Sequence, residues 1–224
     1  IAMEALKNSD AIIGYTVYVD LVKDTFPDKE FLTTPMKKEV DRCVLAFEEA
    51  KKGKVVSMIC SGDAGVYGMA GLMYEVGVNY PDVELEIVPG VTAALGGAAV
   101  LGAPLIHDFC LISLSDLLTP WEKIEARLLG ASQADFVICL YNPSSKKRHD
   151  YLQKACDLMM QYKSPDTVCG TVCNIGREGE EYHLMTLREL RDTQVDMFTT
   201  VFIGNSQTKE INGKMVTPRG YRNV

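Results

Sequence analysis

Short apolar runs alternate with segments whose apolar residues recur every three or four positions, and this pattern indicates an α/β protein. Helices are predicted over 1–8, 15–26, 36–52, a segment ending near 77, 93–101, 121–129 and 149–162. Strands are predicted over 10–15, 54–60, 83–88, 109–113, 134–141, 167–173, 182–185, 199–203 and 214–217. Helices and strands alternate in the first half, whereas strands lie closer together in the second. We therefore predict two α/β domains, 1–106 and 107–224.

Three helix starts carry capping residues. Thr34-Pro35 is typical of the N-cap and N1 positions of the helix over 36–52. Thr119-Pro120-Trp121-Glu122 has the spacing of a capping box, and Thr186 with Glu189 predicts a capped short helix. The small residues of 93–101 predict that this helix packs closely against the sheet or a ligand.

Composition indicates a globular chain. Its 224 residues are 47% hydrophobic, without a run of 18 apolar residues or the start of a signal peptide, so we expect a soluble protein that is not exported. Seven cysteines form no CxxC pair, which favours a reducing, cytoplasmic setting. Cys169 and Cys173 are better explained as alternate strand residues than as metal ligands, and no metal is expected.

Charge is distributed unevenly around a net value of −7. Residues 1–108 hold 9 Lys and Arg against 16 Asp and Glu, and no cation lies between Lys54 and Lys123. The acidic balance disfavours nucleic acid as a partner. A polyphosphate site usually places a cation beside its glycine loop, whereas a ligand that is itself positive needs none.

The segment from Cys60 to Gly71 joins a predicted strand to a predicted helix. Its Ser61-Gly62-Asp63-Ala64-Gly65 turn would lie at the carboxyl end of the strand, where open α/β sheets bind small ligands. From spacing alone, a binding loop and an ordinary turn are equally good interpretations. The glycines lack dinucleotide-binding spacing, and neither a P-loop nor a nucleophile elbow is present.

Four strand ends carry loops of small, polar or turn residues, at 61–68, 89–93, 141–148 and 174–179. If two domains face each other, these loops line one cleft. His107-Asp108 is the best acid–base candidate among residue pairs, although a lone histidine before a strand is more often structural.

Several motifs together resemble the tetrapyrrole (corrin/porphyrin) methyltransferases. The first set is 61–71, Pro89-Gly90-Val91-Thr92-Ala93-Ala94 and Tyr141-Asn142-Pro143-Ser144-Ser145. A second set resembles the members that methylate C17 in cobalamin biosynthesis: 107–109, 112–121, Asn174-Ile175-Gly176-Arg177 and Thr217-Pro218-Arg219-Gly220-Tyr221. The resemblance covers essentially the whole chain, and the ordered set of motifs is far more specific than one glycine loop.

The resemblance implies two α/β domains with mixed sheets, the class III S-adenosylmethionine (SAM) methyltransferase fold, with the active site in the interdomain cleft. It also implies a homodimer that binds a tetrapyrrole. Nucleic acid is not expected as a partner because of the acidic balance, nor a membrane because no long apolar run is present. Its SAM contacts map onto Ser61, Gly62, Asp63, Val66, Thr92, Ala93, Asn142, Gly176, Thr200 and Val201.

The reaction implied is methyl transfer from SAM to C17 of precorrin-3B or cobalt-factor III with ring contraction, which leaves S-adenosylhomocysteine. Acid–base candidates for the ring contraction are Asp116, His107 and Ser115. Since the tetrapyrrole carries many carboxylates, Arg177, Arg148 and Lys123 are candidates for holding its rim, and Trp121 for stacking on the macrocycle. Trp121 fits a core position near the helix start equally well.

Two departures from the family pattern stand out. The family's first strand and Gly-Pro-Gly loop are expected upstream of the first residue of this sequence. Ala64 replaces the proline that commonly follows the motif aspartate, a change that loosens the turn without abolishing binding.

Three other functions stay open. The chain could methylate another tetrapyrrole position or a modified protein residue, it could be a nucleotide- or flavin-binding redox module, or it could carry a tetrapyrrole without catalysis.

Overall fold

The computed structural model describes residues 1–145 and 149–222, and its contacts divide the chain into two compact units, Ile1–Thr92 and Ala93–Val224. The sequence placed the boundary after 106 instead. The difference lies in the helix over 93–101, because Ala94 and Leu101 are fully buried in a cluster with Phe202 of the second unit. Packing therefore assigns this helix to the second unit.

The first unit contains a parallel sheet with strand order β2-β1-β3. Its strands are β1 (Ala11–Tyr15), β2 (Glu30–Thr34) and β3 (Val56–Ile59), and its helices are α1 (Ala2–Asn8), α2 (Thr16–Asp20), α3 (Glu39–Ala50) and α4 (Ala70–Gly77), with a 3-10 turn at Lys23–Thr25. The core joins Ile13 of the central strand to Phe47 of α3 and Met73 of α4. The apolar faces of α3 and α4 thus pack against this sheet.

Two predictions for the first unit are wrong. Thr34 ends β2 instead of capping α3, and it accepts a hydrogen bond on Oγ1 from Arg42 Nε at 2.9 Å. The segment 83–88 forms no strand in the described structure. Val83 and Leu85 still pack on the core near α3 and α4, so the alternation reflects burial without a hydrogen-bonded partner strand.

The second unit is built on a mixed five-stranded sheet with order β5-β6-β9-β7-β8. Its strands are β5 (Phe109–Ser113), β6 (Val137–Tyr141), β7 (Val168–Cys173), β8 (Glu181–Thr186) and β9 (Thr199–Ile203). A small second sheet contains β4 (Gly102–Ala103), β10 (Lys209–Ile211) and β11 (Lys214–Val216). The helices are α5 (Ala93–Leu101), α6 (Trp121–Gln133), α7 (Tyr151–Met159) and α8 (Leu187–Arg191).

The two faces of this sheet are covered by different helices. On β9, Val201 and Ile203 belong to the cluster that includes α6, α7 and α8, whereas Phe202 belongs to the cluster under α5. Gly97 lets α5 approach closely, because a Cβ at this position would lie 2.8 Å from Phe202 Cζ. The small residues of α5 therefore serve packing on the sheet, one of the two predicted roles.

The strand directions collect several loops at one edge of the sheet, which we call the carboxyl edge. The carboxyl ends of β5 (Ser113), β6 (Tyr141) and β7 (Cys173) lie there together with the start of β9. Thr199 pairs with Cys173, so the residues that open β9 belong to this edge.

The predicted helix caps differ in outcome. The capping box at α8 is present: Thr186 Oγ1 accepts from Glu189 N at 3.3 Å, and Glu189 Oε2 accepts from Thr186 N at 2.7 Å. The box predicted for α6 is wrong, since Pro120 occupies the N-cap position and makes no side-chain cap bond.

Lys163 joins the residue before β6 to the residue after β9 by hydrogen bonds. Its side chain is 2% exposed, and Nζ donates to the carbonyl oxygens of Phe136 and Gly204, both at 2.9 Å. Burial lowers the pKa of Lys163, an effect that the Asp135 carboxylate at 3.7 Å opposes.

We expect Lys163→Met to lower the free energy of unfolding by about 2–4 kcal/mol, because two buried carbonyls lose a charged donor. Urea unfolding followed by circular dichroism measures the change. Lys209→Met, at an exposed strand position, is the matched control and should change it by less than about 0.5 kcal/mol. Equal effects of the two substitutions would contradict this role of Lys163.

Candidate functional site

In the first unit, Asp63 joins two loops that the sequence analysis singled out. Its Oδ1 accepts from Gly65 N and its Oδ2 from Gly90 N, each at 2.8 Å. One carboxylate therefore fixes the turn after β3 and ties it to the segment before Thr92.

These bonds hold Asp63 in its ionised form. The Gly90 and Gly65 amides donate to the carboxylate and lower the pKa of Asp63. Because both oxygens accept from the backbone, the side chain shapes the loops. A ligand beside it would meet main-chain groups held in place by this carboxylate.

Close backbone contacts explain the glycines of these loops. A Cβ at Gly90 would lie 2.0 Å from Gly62 O, and one at Gly68 would lie 2.5 Å from Ala64 O. The Ala64 carbonyl also accepts from Ala70 N at 3.0 Å. Alanine and proline both have that carbonyl, so the substitution keeps this hydrogen bond of the loop.

In the second unit, Ser113 and Asn142 meet at the carboxyl edge. Ser113 Oγ accepts from Asn142 Nδ2 at 2.9 Å and from Ser115 N at 3.2 Å. Asn142 has a φ of 53°, a left-handed conformation that asparagine tolerates. Ser115 and Asn142 are among the residues predicted for the site from sequence, whereas Ser113 is not, because it resembles the last residue of an ordinary strand.

The start of α5 lies at the same edge. Ala94 N donates to Tyr141 Oη at 2.8 Å, which places Ala93 beside the end of β6. Thr200, the second residue of β9, pairs with Val172. Its side chain lies on the α5 face, and the residue is 5% exposed. Val201 points to the other face and is fully buried among α6–α8, so its side chain belongs to the core.

The turn after β7 is closed by its own hydrogen bonds. Gly176 N donates to Glu180 Oε2 at 2.7 Å, and Asn174 Nδ2 donates to Gly179 O at 3.4 Å. A ligand reaching Gly176 would find its amide occupied, so contact there requires the carbonyl or displacement of Glu180. Arg177 is half-buried in the same turn.

The acid–base candidates do not all lie together. Ser115 and Asp116 follow the carboxyl end of β5, and Tyr151 Oη donates to Asp116 Oδ2 at 2.7 Å. His107 is exposed before the amino end of β5, and a strand of this length separates its two ends by roughly 16 Å. The structure thus pairs Asp116 with Tyr151, which no sequence motif indicated, and places His107 elsewhere.

The substrate candidates are also dispersed. The Trp121 ring lies 4.6 Å from the Tyr151 ring and packs against the core. This is the core position that the sequence offered as the alternative to stacking on the macrocycle. Lys123 is exposed on α6. Arg148 lies outside the described residues.

The residues that the structure describes contain neither a candidate metal site nor a candidate membrane span. Within 1–145 and 149–222, no three His, Cys, Asp or Glu side chains are grouped to hold a metal ion. None of the helices in those ranges is long and apolar enough to cross a membrane.

Known proteins resemble the chain throughout its length. The model of the family described as Tetrapyrrole (Corrin/Porphyrin) Methylases matches residues 1–191. A probable cobalt-factor III C(17)-methyltransferase of Salmonella typhimurium is 49% identical, with 98% of this chain and 92% of the relative covered. A precorrin-3B C(17)-methyltransferase of a Sinorhizobium species is 40% identical, with 97% and 89% covered. The chain covers only 42% and 49% of two longer relatives.

The fold resembles solved structures as well. The crystal structure of the methyltransferase CobJ has a TM-score of 0.89 and 33% sequence identity, and the match covers 96% of this chain and 91% of that chain.

We expect Asp63→Asn to destabilise the first unit at neutral pH, because an amide offers one acceptor oxygen where two backbone amides need one each. The folded pKa of Asp63 lies below its ordinary value of 3.8, so its stabilisation is present above that pH and is lost as the pH falls through the lowered pKa. Thermal denaturation between pH 2 and 7 measures both effects, with Asp82→Asn, an exposed position, as the control. An unchanged melting temperature at pH 7 would contradict the role of Asp63.

Proposed function

Because the chain belongs to the tetrapyrrole (corrin/porphyrin) methylases, we propose that it methylates C17 of precorrin-3B or cobalt-factor III with SAM, coupled to ring contraction, in cobalamin biosynthesis. The single observation that carries the proposal is the 49% identity over 98% of the chain with a relative named for the C17 reaction.

The proposed SAM contacts fall into two groups. Those in the first unit are Ser61, Gly62, Asp63, Val66 and Thr92; those in the second are Ala93, Asn142, Gly176, Thr200 and Val201. For Val201 only main-chain contact is compatible with its buried side chain. Asp63 acts by fixing the Gly65 and Gly90 backbone, so recognition is largely through main-chain groups.

Charge supports a positively charged methyl donor. No Lys or Arg occurs between Lys54 and Lys123, so the Asp63 loops and the start of α5 contain no Lys or Arg of their own. When bound, SAM supplies an electrophilic methyl group on its sulfonium. The protein then contributes to methylation by aligning the two reactants. In favourable cases such alignment lowers the activation free energy by about 7 kcal/mol.

Ring contraction requires proton movement, and we assign it to Asp116 and Ser115 at the end of β5. Tyr151 holds the Asp116 carboxylate by the 2.7 Å hydrogen bond. His107 lies at the opposite end of β5, and we propose no step for it in concert with Asp116.

The carboxylates of the tetrapyrrole call for cationic contacts. Arg177 is the best candidate, because it is half-buried in the turn that carries Gly176 at the carboxyl edge. Lys123 and Arg148 remain proposals from the sequence, as does stacking of Trp121 on the macrocycle. A homodimer is likewise proposed from the family resemblance, and a cytoplasmic location from the cysteine usage.

Incubation with SAM and cobalt-factor III is expected to give a product one methyl group heavier, with the label of [methyl-13C]SAM at C17 by NMR. Earlier precorrins, with other positions open to methylation, serve as competing substrates. Turnover of an earlier precorrin without turnover of cobalt-factor III or precorrin-3B would contradict the C17 assignment and favour another position.

Calorimetry separates a methylase from a redox module. S-adenosylhomocysteine should bind, whereas NADH and FMN should not. Asp63→Ala should weaken S-adenosylhomocysteine about tenfold, because two bonds that shape the loops are lost. The exposed-site variant Asp82→Ala should bind like the wild type, and tight binding of a dinucleotide alone would overturn the proposal.

If the chain only carries a tetrapyrrole, Asp63→Ala leaves tetrapyrrole binding intact and there is no methylation to lose. Loss of a measured methyl transfer in this variant excludes that function.

A further inference from the structure

The Ser113 hydroxyl has its two acceptor positions filled. Asn142 Nδ2 and Ser115 N both donate to Ser113 Oγ, at 2.9 and 3.2 Å. A hydroxyl has two lone pairs and one proton, so the remaining capacity of Ser113 is to donate. Within the described ranges, no hydrogen bond donated by this hydroxyl is found.

Ser113 belongs to a row of hydroxyls on the α5 face. It pairs with Tyr141 across β5 and β6, and Thr200 lies on the same face of β9, one residue before the Val201 that pairs with Leu140. Neighbouring strands are about 4.8 Å apart, so the three residues span two strand spacings at the carboxyl edge. Tyr141 already accepts from Ala94 N, and Thr200 is nearly buried.

Ser113 remains half-buried at the outer end of this row, where a ligand can reach it. The same edge carries Arg177 in the turn after β7, and its positive charge favours anionic ligand groups there. A hydrogen bond to a charged acceptor is stronger than one to a neutral acceptor.

We propose that the Ser113 hydroxyl donates a hydrogen bond to a carboxylate oxygen of a ligand bound at the carboxyl edge. This rests on the proposed function, which offers two sources of that chemistry: the acidic side chains of the tetrapyrrole and the amino-acid end of SAM. Asn142 and the Ser115 amide fix the oxygen of Ser113, so the direction of the donated proton is limited to the open side.

The test compares Ser113→Ala with the wild type in two titrations. Calorimetry measures binding of S-adenosylhomocysteine and of 5′-methylthioadenosine, which lacks the carboxylate. Absorbance measures binding of cobalt-factor III in the presence of saturating S-adenosylhomocysteine. Ser113→Thr keeps the hydroxyl and should restore affinity, and Thr171→Val, a buried hydroxyl on the opposite face, is the control for packing.

A loss of about tenfold for cobalt-factor III alone supports a tetrapyrrole carboxylate. The same loss for S-adenosylhomocysteine but not for methylthioadenosine supports the cofactor carboxylate. Unchanged affinities, or equal losses for both nucleosides, overturn the proposal. A wild type that binds cobalt-factor III without methylating it contradicts the proposed function, while the comparison at Ser113 still decides this inference.

Discussion

The carboxylate of Asp63 is the constraint on which the first unit's candidate site depends. Its two oxygens each accept one backbone amide, from Gly65 and from Gly90, and so bring two loops distant in sequence into one surface. The contact is close enough that Gly90 has no room for a side chain beside Gly62 O. A charged residue in a stretch without Lys or Arg thus organises the backbone of two loops.

In the second unit, the direction of the strands brings loops that are distant in sequence to one edge of the sheet. Three parallel-running strands end at the carboxyl edge, and the period of two along each strand sends alternate residues to opposite faces. Val201 therefore lies in the core, whereas its neighbour Thr200 faces α5. Tyr151 and Trp121 support Asp116 from the helices of the other face. The carboxyl edge therefore carries the hydroxyls of Ser113, Tyr141 and Thr200 on the α5 face. The Asp116 carboxylate, which accepts a hydrogen bond from Tyr151, follows β5 at the same edge.

Sequence patterns predicted some elements to the residue and missed others for identifiable reasons. The bounds of β5, β9 and α5 were predicted as found, because β-branched and apolar residues mark the two strands and small apolar residues mark the helix. The strand β2 was missed, since Thr34-Pro35 resembles a helix start. The Ser113–Asn142 and Asp116–Tyr151 bonds join residues far apart in sequence. No local spacing encodes such contacts, so only the assembled sheet reveals them.

A crystal structure with S-adenosylhomocysteine is the most direct test of the central claim, that the Asp63 loops hold the methyl donor through their backbone. We expect hydrogen bonds from the ligand to main-chain atoms within 61–66 and 92–93, with the Asp63 carboxylate still bound to the Gly65 and Gly90 amides. A ligand bound away from these loops, or paired directly with Asp63 in place of the two amides, would contradict it.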